Sequence, residues 1–150
     1  MLLVLAALAI LALPVVWASE AAALSSDIEA ALRTSTYVYI ASKRKDGSFG
    51  KPSEIWFMYE NGAVWVASPT TTWRARRIKA KRPKARIAVG KPDGPTFKAK
   101  GSIVKDTAVY EEMYRTFAKK YPEGWPKYED QFRKGLADGS RVLIKYQPVK

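Results

Sequence analysis

The stretch that decides the fold is residues 54–86, which read EIWFMYENGAVWVASPTTTWRARRIKAKRPKAR. Residues 54–59 and 63–68 are short runs rich in β-branched and aromatic residues, a composition that predicts two strands. Between them, Asn61-Gly62 is typical of a type I′ turn, because that turn needs positive φ at both central positions. The two runs and the turn together predict a β-hairpin.

A hydroxyl-rich and then strongly basic segment follows the hairpin. Residues 70–72 are three threonines, and eight of the thirteen residues from 74 to 86 are Lys or Arg, with no acid among them. We predict a helix from about residue 72 to residue 80, ending before Pro83. A helix start of this kind, followed by positive charge, favours a bound phosphate. Two alternatives stay open: the threonines simply cap the helix, and the basic run is a solvated face.

The remainder of the chain adds four strands and three helical segments. The strands are predicted at residues 36–41, 84–89, 96–104 and 141–146. The helical segments are predicted at residues 19–34, 107–121 and 125–136. Six short strands joined by turns, with a few flanking helices, predict a mainly β (α+β) fold built as a six-stranded antiparallel barrel, closed or partly closed.

The first of the two late helices has a clear start and a clear apolar face. Asp106 is a suitable N-cap, since its side chain can accept from the free amides of the first turn. The apolar residues that follow fall four apart and predict a buried stripe. They are Val109, Met113, Phe117 and Tyr121. We expect this stripe to be part of the core and not a cofactor site.

Two zero counts exclude whole classes of chemistry. The 150 residues contain no Cys and no His. Without cysteine there is no disulfide, no thiolate nucleophile and no Cys-ligated metal. Without histidine the usual general base, metal ligand and axial haem ligand are all missing. A Ser-His-Asp hydrolase is therefore excluded, no metal site is predicted, and an enzyme of this composition is expected to rely on a bound cofactor.

The formal net charge of +12 points to an anionic partner. Positive charge of this size serves solubility alone, or it serves an anionic ligand, a nucleic acid or an anionic membrane surface. Charge by itself does not choose among these partners.

The amino-terminal residues 1–23 are set apart from the rest by composition. Residues 2–17 are continuously apolar and broken only by Pro14, and small residues follow them, as at the sites where leader peptides are cleaved. We therefore predict a hydrophobic signal peptide or membrane anchor at residues 1–23 and one folded domain at residues 24–150. The protein would then be membrane-associated or exported, with membrane contact through residues 2–18. The alternative is a cytoplasmic protein whose apolar segment packs on the protein or on a partner.

From about residue 31 to residue 148, the layout resembles the pyridoxamine 5′-phosphate oxidase-like split barrels, which include small flavin- and deazaflavin-dependent oxidoreductases. Four motifs in the same order carry this resemblance. They are the Trp56-Phe57 pair, Ala67-Ser68 before the phosphate loop, the Thr72-Trp73-Arg74-Ala75 helix start with Ile78 and Pro83, and the Tyr-Arg helix, Trp-x-x-Tyr turn and closing Arg-Val-Leu strand between residues 109 and 143.

The resemblance implies a flavin-binding split-barrel domain at residues 24–150 and a set of cofactor-binding residues within it. Arg74 stands where the family has a phosphate-binding Lys, and Thr72 would give its hydroxyl and a helix amide to the same phosphate. The implied cofactor-binding residues are Trp56, Phe57, Met58, Ser68, Thr71, Thr72 and Arg74. The backbone of residues 56–58 would face the edge of the ring. No catalytic side chain is implied.

The implied cofactor is FMN, with the deazaflavin coenzyme F-420 as the alternative. The implied activity is that of an oxidoreductase that transfers hydride or electrons to an unidentified small molecule. A homodimer with the cofactor at the subunit interface is also implied. The basic run would suit the oligoglutamate tail of F-420, whereas FMN needs fewer charges.

Two departures from the family pattern limit the activity that we expect. Glu54 stands where many FMN-binding members have an Arg, and a carboxylate there would repel a phosphate. The Arg-x-His near the end of the true oxidase is absent, because the chain has no His. Oxidation of pyridoxamine phosphate is therefore not expected.

The alternative from another class is a non-catalytic basic β-barrel that binds nucleic acid or another polyanion through stacking and phosphate contacts. The aromatic residues fall mostly in predicted strands and helix stripes and not within the basic segment, which speaks against nucleic acid. A third hypothesis is a membrane-anchored protein whose charge meets anionic lipid.

Overall fold

The computed structural model of the chain describes residues 21–150. Nearly all of the predicted signal peptide or anchor at residues 1–23 therefore lies outside the described residues, and that assignment stays a prediction. Within residues 21–150, none of the helices combines the length and the apolar character that crossing a bilayer requires.

Seven strands and four helices make up the described part of the chain. The strands are β1 (Val38–Ser42), β2 (Ser53–Ile55), β3 (Met58–Glu60), β4 (Ala63–Pro69), β5 (Lys84–Val89), β6 (Thr96–Val104) and β7 (Arg141–Pro148). The helices are α1 (Ser26–Thr34), α2 (Trp73–Lys79), α3 (Thr107–Lys120) and α4 (Trp125–Asp138). The mainly β class with flanking helices is confirmed.

The strands form a single antiparallel sheet, and its two edge strands are consecutive in the sequence. The order across the sheet is β2-β1-β5-β6-β7-β4-β3. Strands β2 and β3 lie at opposite edges, yet only Trp56 and Phe57 separate them in sequence. The sheet must therefore curl until its edges approach each other, which makes a barrel that is split between β2 and β3.

The predicted count of six strands is one short, because the predicted strand at residues 54–59 is two strands. Its first part pairs with β1, where Ile55 lies opposite Val38. Its second part pairs with β4, where Met58 lies opposite Trp65. A run of apolar and aromatic residues predicts extended backbone, but it does not show that the ladder partner changes in the middle of the run.

Side chains from the end of α3 replace the missing ladder bonds at this corner. The backbone amide of Phe57 donates to the Tyr121 hydroxyl at 2.9 Å, and that hydroxyl donates to the carbonyl of Thr36 at 2.8 Å. The Lys120 ammonium donates to the carbonyl of Phe57 at 3.1 Å. Burial lowers the pKa of Lys120 to about 8 and raises the pKa of Tyr121. Both backbone groups of a buried residue are thus satisfied, which an unpaired corner requires.

Trp56 at the same corner packs outside the barrel. Its ring stacks on Tyr121 with a centroid distance of 4.4 Å and an angle of 7° between the planes. Phe117 contacts it edge-on at 5.9 Å. Gly124 lies against the indole so closely that a Cβ added there would come within 2.7 Å of Trp56. The corner is therefore held by packing as well as by hydrogen bonds.

Strand β4 is buried along nearly its whole length because apolar cores cover both of its faces. Val64 and Val66 point into the barrel interior. Trp65 and Ala67 point to a second core between the sheet and helices α3 and α4. This alternation follows from the two-residue period of a strand.

The local predictions around these elements are confirmed. Asn61 and Gly62 have φ angles of 51° and 68°, as the type I′ turn requires. The carboxylate of Asp106 accepts from the amides of Ala108 at 2.9 Å and Val109 at 3.3 Å, so it is the N-cap of α3. The predicted stripe on α3 is part of the second core, with Val109 at its margin.

We expect Tyr121→Phe to destabilise the protein, because it removes the hydroxyl that accepts from the buried amide of Phe57. An unsatisfied buried donor should lower the free energy of unfolding by about 1–3 kcal/mol. Tyr128→Phe is the matched control, since Tyr128 is 47% exposed and its hydroxyl bonds to no described residue. Urea denaturation measures both changes. Equal stability of the two variants would contradict this role for Tyr121.

Candidate functional site

A cationic cleft lies between helix α2 and the connection from β1 to β2. Its volume is about 550 Å³. Four cationic side chains line it, and no Asp or Glu is among the described residues that do so. The cations are Arg44, Lys51, Arg74 and Arg77. A concave site with this charge is suited to an anionic group.

Arg74 is the predicted phosphate-binding residue, and it lies in this cleft. Its guanidinium donates to the hydroxyl of Ser53 on strand β2. Burial lowers the pKa of Arg74 from its ordinary value. The cation is therefore partly desolvated and fixed in direction, two properties that strengthen its attraction for an anion.

Next to Arg74, inside the barrel, lies the phenol of Tyr146. Burial raises the pKa of Tyr146 to about 12, and the positive charge of Arg74 opposes that rise. The Tyr146 hydroxyl is buried and bonds to no described residue. It is a polar group without a partner beside the cation of the cleft.

Arg77 forms the second fixed cation of the cleft. Its Nη1 donates to the carbonyl and to the hydroxyl of Ser42, each at 2.8 Å. Burial lowers the pKa of Arg77, and the positive charge of Arg44 lowers it further. Arg77 lies one helical turn after Arg74, so both reach the same cleft from one face of α2.

Acidic residues near the cleft are bonded elsewhere. Asp46 accepts from the amide and the hydroxyl of Ser48, at 2.9 and 2.7 Å. Glu54, whose charge was expected to repel a phosphate, is exposed and accepts from the Tyr39 hydroxyl at 2.6 Å. It does not line the cleft. Glu54, which stands where many family members have an Arg, therefore adds no negative charge to the lining of the cleft.

Of the predicted hydroxyl residues, only Thr72 lines the cleft. Its hydroxyl donates to the carbonyl of Pro69 at 2.9 Å and lies 2.9 Å from the hydroxyl of Ser68. Because the Thr72 hydroxyl has a single proton, Ser68 is the donor of that pair. Ser68 is fully buried, whereas Thr71 is exposed and its hydroxyl bonds to no described residue. Thr72 is at the N-cap position of α2 but makes no side-chain capping bond.

The structure does not bring the other predicted residues to the cleft. Trp56 packs on Tyr121, Phe57 belongs to the barrel interior, and Met58 belongs to the second core. Their backbone forms the corner between β2 and β3, where Tyr121 and Lys120 satisfy the groups of Phe57. The predicted set is thus divided between the cleft and the corner.

Sequence reasoning missed five of the charged and hydroxyl-bearing residues that line the cleft. They are Ser42, Arg44, Lys51, Ser53 and Arg77. One signal was available, since Arg77 follows Arg74 by three residues and shares its helix face. The others come together because β1 pairs with β2 and α2 packs beside them, a contact between distant segments that no local pattern predicts.

A larger cavity of about 680 Å³ lies between β6, β7 and α4. It is lined by two acids, Asp106 and Asp138, as well as by basic residues. Asp106 caps α3, and Asp138 accepts from the amide of Ser140 at 2.8 Å. Carboxylates in its wall make this cavity less suited to an anion than the smaller cleft, whose charged residues among those described are all cationic.

Comparison with known proteins identifies the fold. No protein-family model matches the chain. None of the curated proteins matches it either. Among solved structures, HutZ, the haem storage protein from Vibrio cholerae, is 16% identical with a TM-score of 0.60, over 85% of this chain and 91% of that one.

Two further solved structures share the fold. A candidate pyridoxamine 5′-phosphate oxidase from Listeria innocua is 17% identical with a TM-score of 0.58, over 83% of this chain and 92% of that one. An F420 reductase is 23% identical with a TM-score of 0.52, over 81% of this chain and 93% of that one. The chain therefore has the split-barrel fold of the pyridoxamine 5′-phosphate oxidase-like proteins, as the resemblance in sequence predicted.

We expect Thr72→Val to destabilise the protein even without a ligand. The change leaves the buried Ser68 hydroxyl without its acceptor, which should lower the free energy of unfolding by about 1–3 kcal/mol. Thr71→Val is the matched control, because Thr71 is exposed and bonds to no described residue. Denaturation by urea compares the two variants. A loss of the same size in both would show that the Ser68–Thr72 bond is not what matters.

Proposed function

We propose that this protein is an oxidoreductase that holds a flavin-type cofactor by its phosphate in the cationic cleft. The observation that carries the proposal is the cleft itself, where Arg44, Lys51, Arg74 and Arg77 converge without a carboxylate. The cleft lies in a fold that is shared with an F420 reductase and with a candidate pyridoxamine 5′-phosphate oxidase. We propose FMN as the cofactor, with F-420 as the alternative.

The donor set of the cleft fits a phosphate. Arginine presents several N–H groups in a planar fork that matches phosphate oxygens. Arg74 and Arg77 are each held by a serine, so part of the entropy of ordering them is already lost before a ligand arrives.

The bound flavin would supply the hydride or electron transfer. The contribution of this chain is to bind and orient the cofactor. Anchoring one end of it at Arg74 and Arg77 determines where the other end lies, and orientation of this kind is a large part of catalysis. No side chain of this chain needs to move a proton, which agrees with a sequence that has no His.

Haem is another cofactor to consider, because the structural neighbour HutZ is a haem storage protein. The chain has no His and no Cys. It therefore lacks two of the residues that commonly bind haem iron. The cleft is lined by cations and hydroxyls, with Ile40 and Trp73 as its large apolar residues. We therefore favour a flavin-type cofactor over haem.

We also propose that the protein is a homodimer with the cofactor at the subunit interface. Trp73 lies at the cleft and is 65% exposed, one of two large hydrophobic residues so exposed among residues 21–150. Arg76 and Arg77 lie over its ring, at 5.6 and 5.2 Å from the centroid. An exposed Trp with arginines beside it is typical of the centre of a protein–protein interface.

We expect Arg74→Met to weaken the binding of FMN by roughly 10- to 100-fold, the loss of one charge-assisted hydrogen bond. Lys79→Met is the matched control, because Lys79 is an exposed cation on the same helix that does not line the cleft. Riboflavin is the matched ligand without the phosphate, and its affinity should be the same for parent and Arg74→Met. Flavin fluorescence follows each titration, and parallel titrations with F-420 and haemin compare the alternatives.

Three results would count against this assignment. The first is that neither FMN nor F-420 binds the parent protein. The second is that Arg74→Met and Lys79→Met weaken the binding of FMN equally, which would indicate a diffuse field and no phosphate site. The third is that haemin binds and both flavin-type cofactors do not.

We expect Trp73→Ser to weaken the homodimer by roughly 30-fold, the effect of truncating an aromatic residue at the centre of an interface. Tyr128→Ser is the control, because Tyr128 is the other exposed large aromatic and lies away from the cleft on α4. Sedimentation velocity over a dilution series measures the dissociation constant of each variant. A parent protein that is monomeric throughout would contradict the proposed dimer.

A further inference from the structure

A second basic region, outside the cationic cleft, covers one face of the sheet beside strands β5 and β6. We call it the basic sheet face. It consists of Lys43, Lys84, Arg86, Lys98, Lys100 and Lys150. None of these six side chains forms an ion pair with a described residue. The described ion pairs all involve Lys91 or Arg133.

The register of the sheet places like charges directly opposite each other on this face. Lys84 lies opposite Lys100, and Arg86 lies opposite Lys98. These side chains are exposed, while Ala85 and the residue opposite it are buried, so the four cations share the outer side of the two strands. Like charges in directly opposed positions destabilise a sheet. An anionic surface placed against the face would remove that repulsion.

The face has an apolar floor between its charges. A groove of about 530 Å³ has Phe49 and Val149 as its apolar residues on this side, with four of the lysines around them. Arg86 lies over the ring of Phe49, 5.1 Å from the centroid. No Asp or Glu lines the groove among the described residues. Long basic side chains around an apolar floor can reach outward to an anionic surface while their stems stay on the floor.

The first residues that the structure describes lie at the edge of this face. Ala21 pairs with Val149, and the amide of Ala22 donates to the carbonyl of Pro148 at 3.0 Å. Val149 in turn donates from its amide to the carbonyl of Lys98 at 3.1 Å. The apolar residues 2–17 therefore precede, by a few residues, a point on the border of the basic sheet face.

We propose that the basic sheet face docks on a membrane surface that contains anionic phospholipid. Weak membrane association becomes stable when an apolar segment and a cluster of basic residues act together. In this chain the apolar residues 2–17 precede in sequence the described residues 21 and 22, which pair at the border of the basic sheet face. Nucleic acid would need exposed aromatic rings on which bases stack. Among the described residues, Phe49 is the one aromatic that lines the groove, and Arg86 lies over its ring.

The test uses the full chain and sedimentation with vesicles of phosphatidylcholine, alone or mixed with phosphatidylserine. We expect binding to the mixed vesicles to exceed binding to phosphatidylcholine and to fall as salt is added. Replacing Lys84 and Lys98 together by Gln should weaken binding to the mixed vesicles by about 25-fold, about fivefold for each basic residue near the surface. The control replaces Lys119 and Lys127, exposed residues of α3 and α4, and should change it little.

Melting temperatures equal to that of the parent establish that both double variants are folded. Equal binding to the two kinds of vesicle would overturn the proposal, because the anionic lipid would then have no role. Equal losses in the two double variants would overturn it as well, since net charge and not this face would be responsible. Binding of a single-stranded oligonucleotide that depends on Lys84 and Lys98, without binding to the mixed vesicles, would assign the face to nucleic acid instead.

Discussion

The split barrel depends on how the backbone of Phe57 is satisfied. At this residue the chain leaves one edge of the sheet for the other, so neither its amide nor its carbonyl can bond within a ladder. The residue is fully buried, and water is not a substitute partner there. The hydroxyl of Tyr121 and the ammonium of Lys120 take the place of the missing strand. The last turn of α3 is therefore part of the barrel closure, although it lies far away in sequence.

This closure also explains why the predicted site is divided. The resemblance implied one cofactor site made of residues 56–58 together with Ser68, Thr71, Thr72 and Arg74. In the structure, Ser53 lies just before the corner and accepts a hydrogen bond from Arg74. At the corner itself, Trp56 packs on Tyr121 and Phe57 points into the barrel. Because this corner closes the barrel, its packing and hydrogen bonds fix the directions of its side chains. The cationic cleft is thus built from the end of β1, the following loop, β2 and α2.

The sequence predicts the local features and misses the ones that depend on long-range pairing. The Asn61-Gly62 turn, the Asp106 cap and the apolar stripe of α3 each depend on a few neighbouring residues, and each is observed as predicted. The division of residues 54–59 into two strands depends on pairing with β1 and β4, which lie on opposite sides of it in the chain. The same holds for the cleft: Arg74 could be found from the helix start, but Ser42 and Arg44 reach it through the strand order.

The positive charge of the chain, finally, is of two physical kinds. Arg74 and Arg77 in the cleft are fixed by serine partners, and burial lowers the pKa of both. Such cations favour an anion of matching geometry, because their donors have a fixed position and a fixed direction. Lys84 and Lys98 are exposed and form no ion pair with a described residue, so each is a mobile point charge. A directional pair suits one phosphate of a small molecule, whereas an array of mobile charges suits an extended anionic surface. The two arrangements agree with the two partners that we propose, a cofactor phosphate in the cleft and an anionic membrane surface at the basic sheet face.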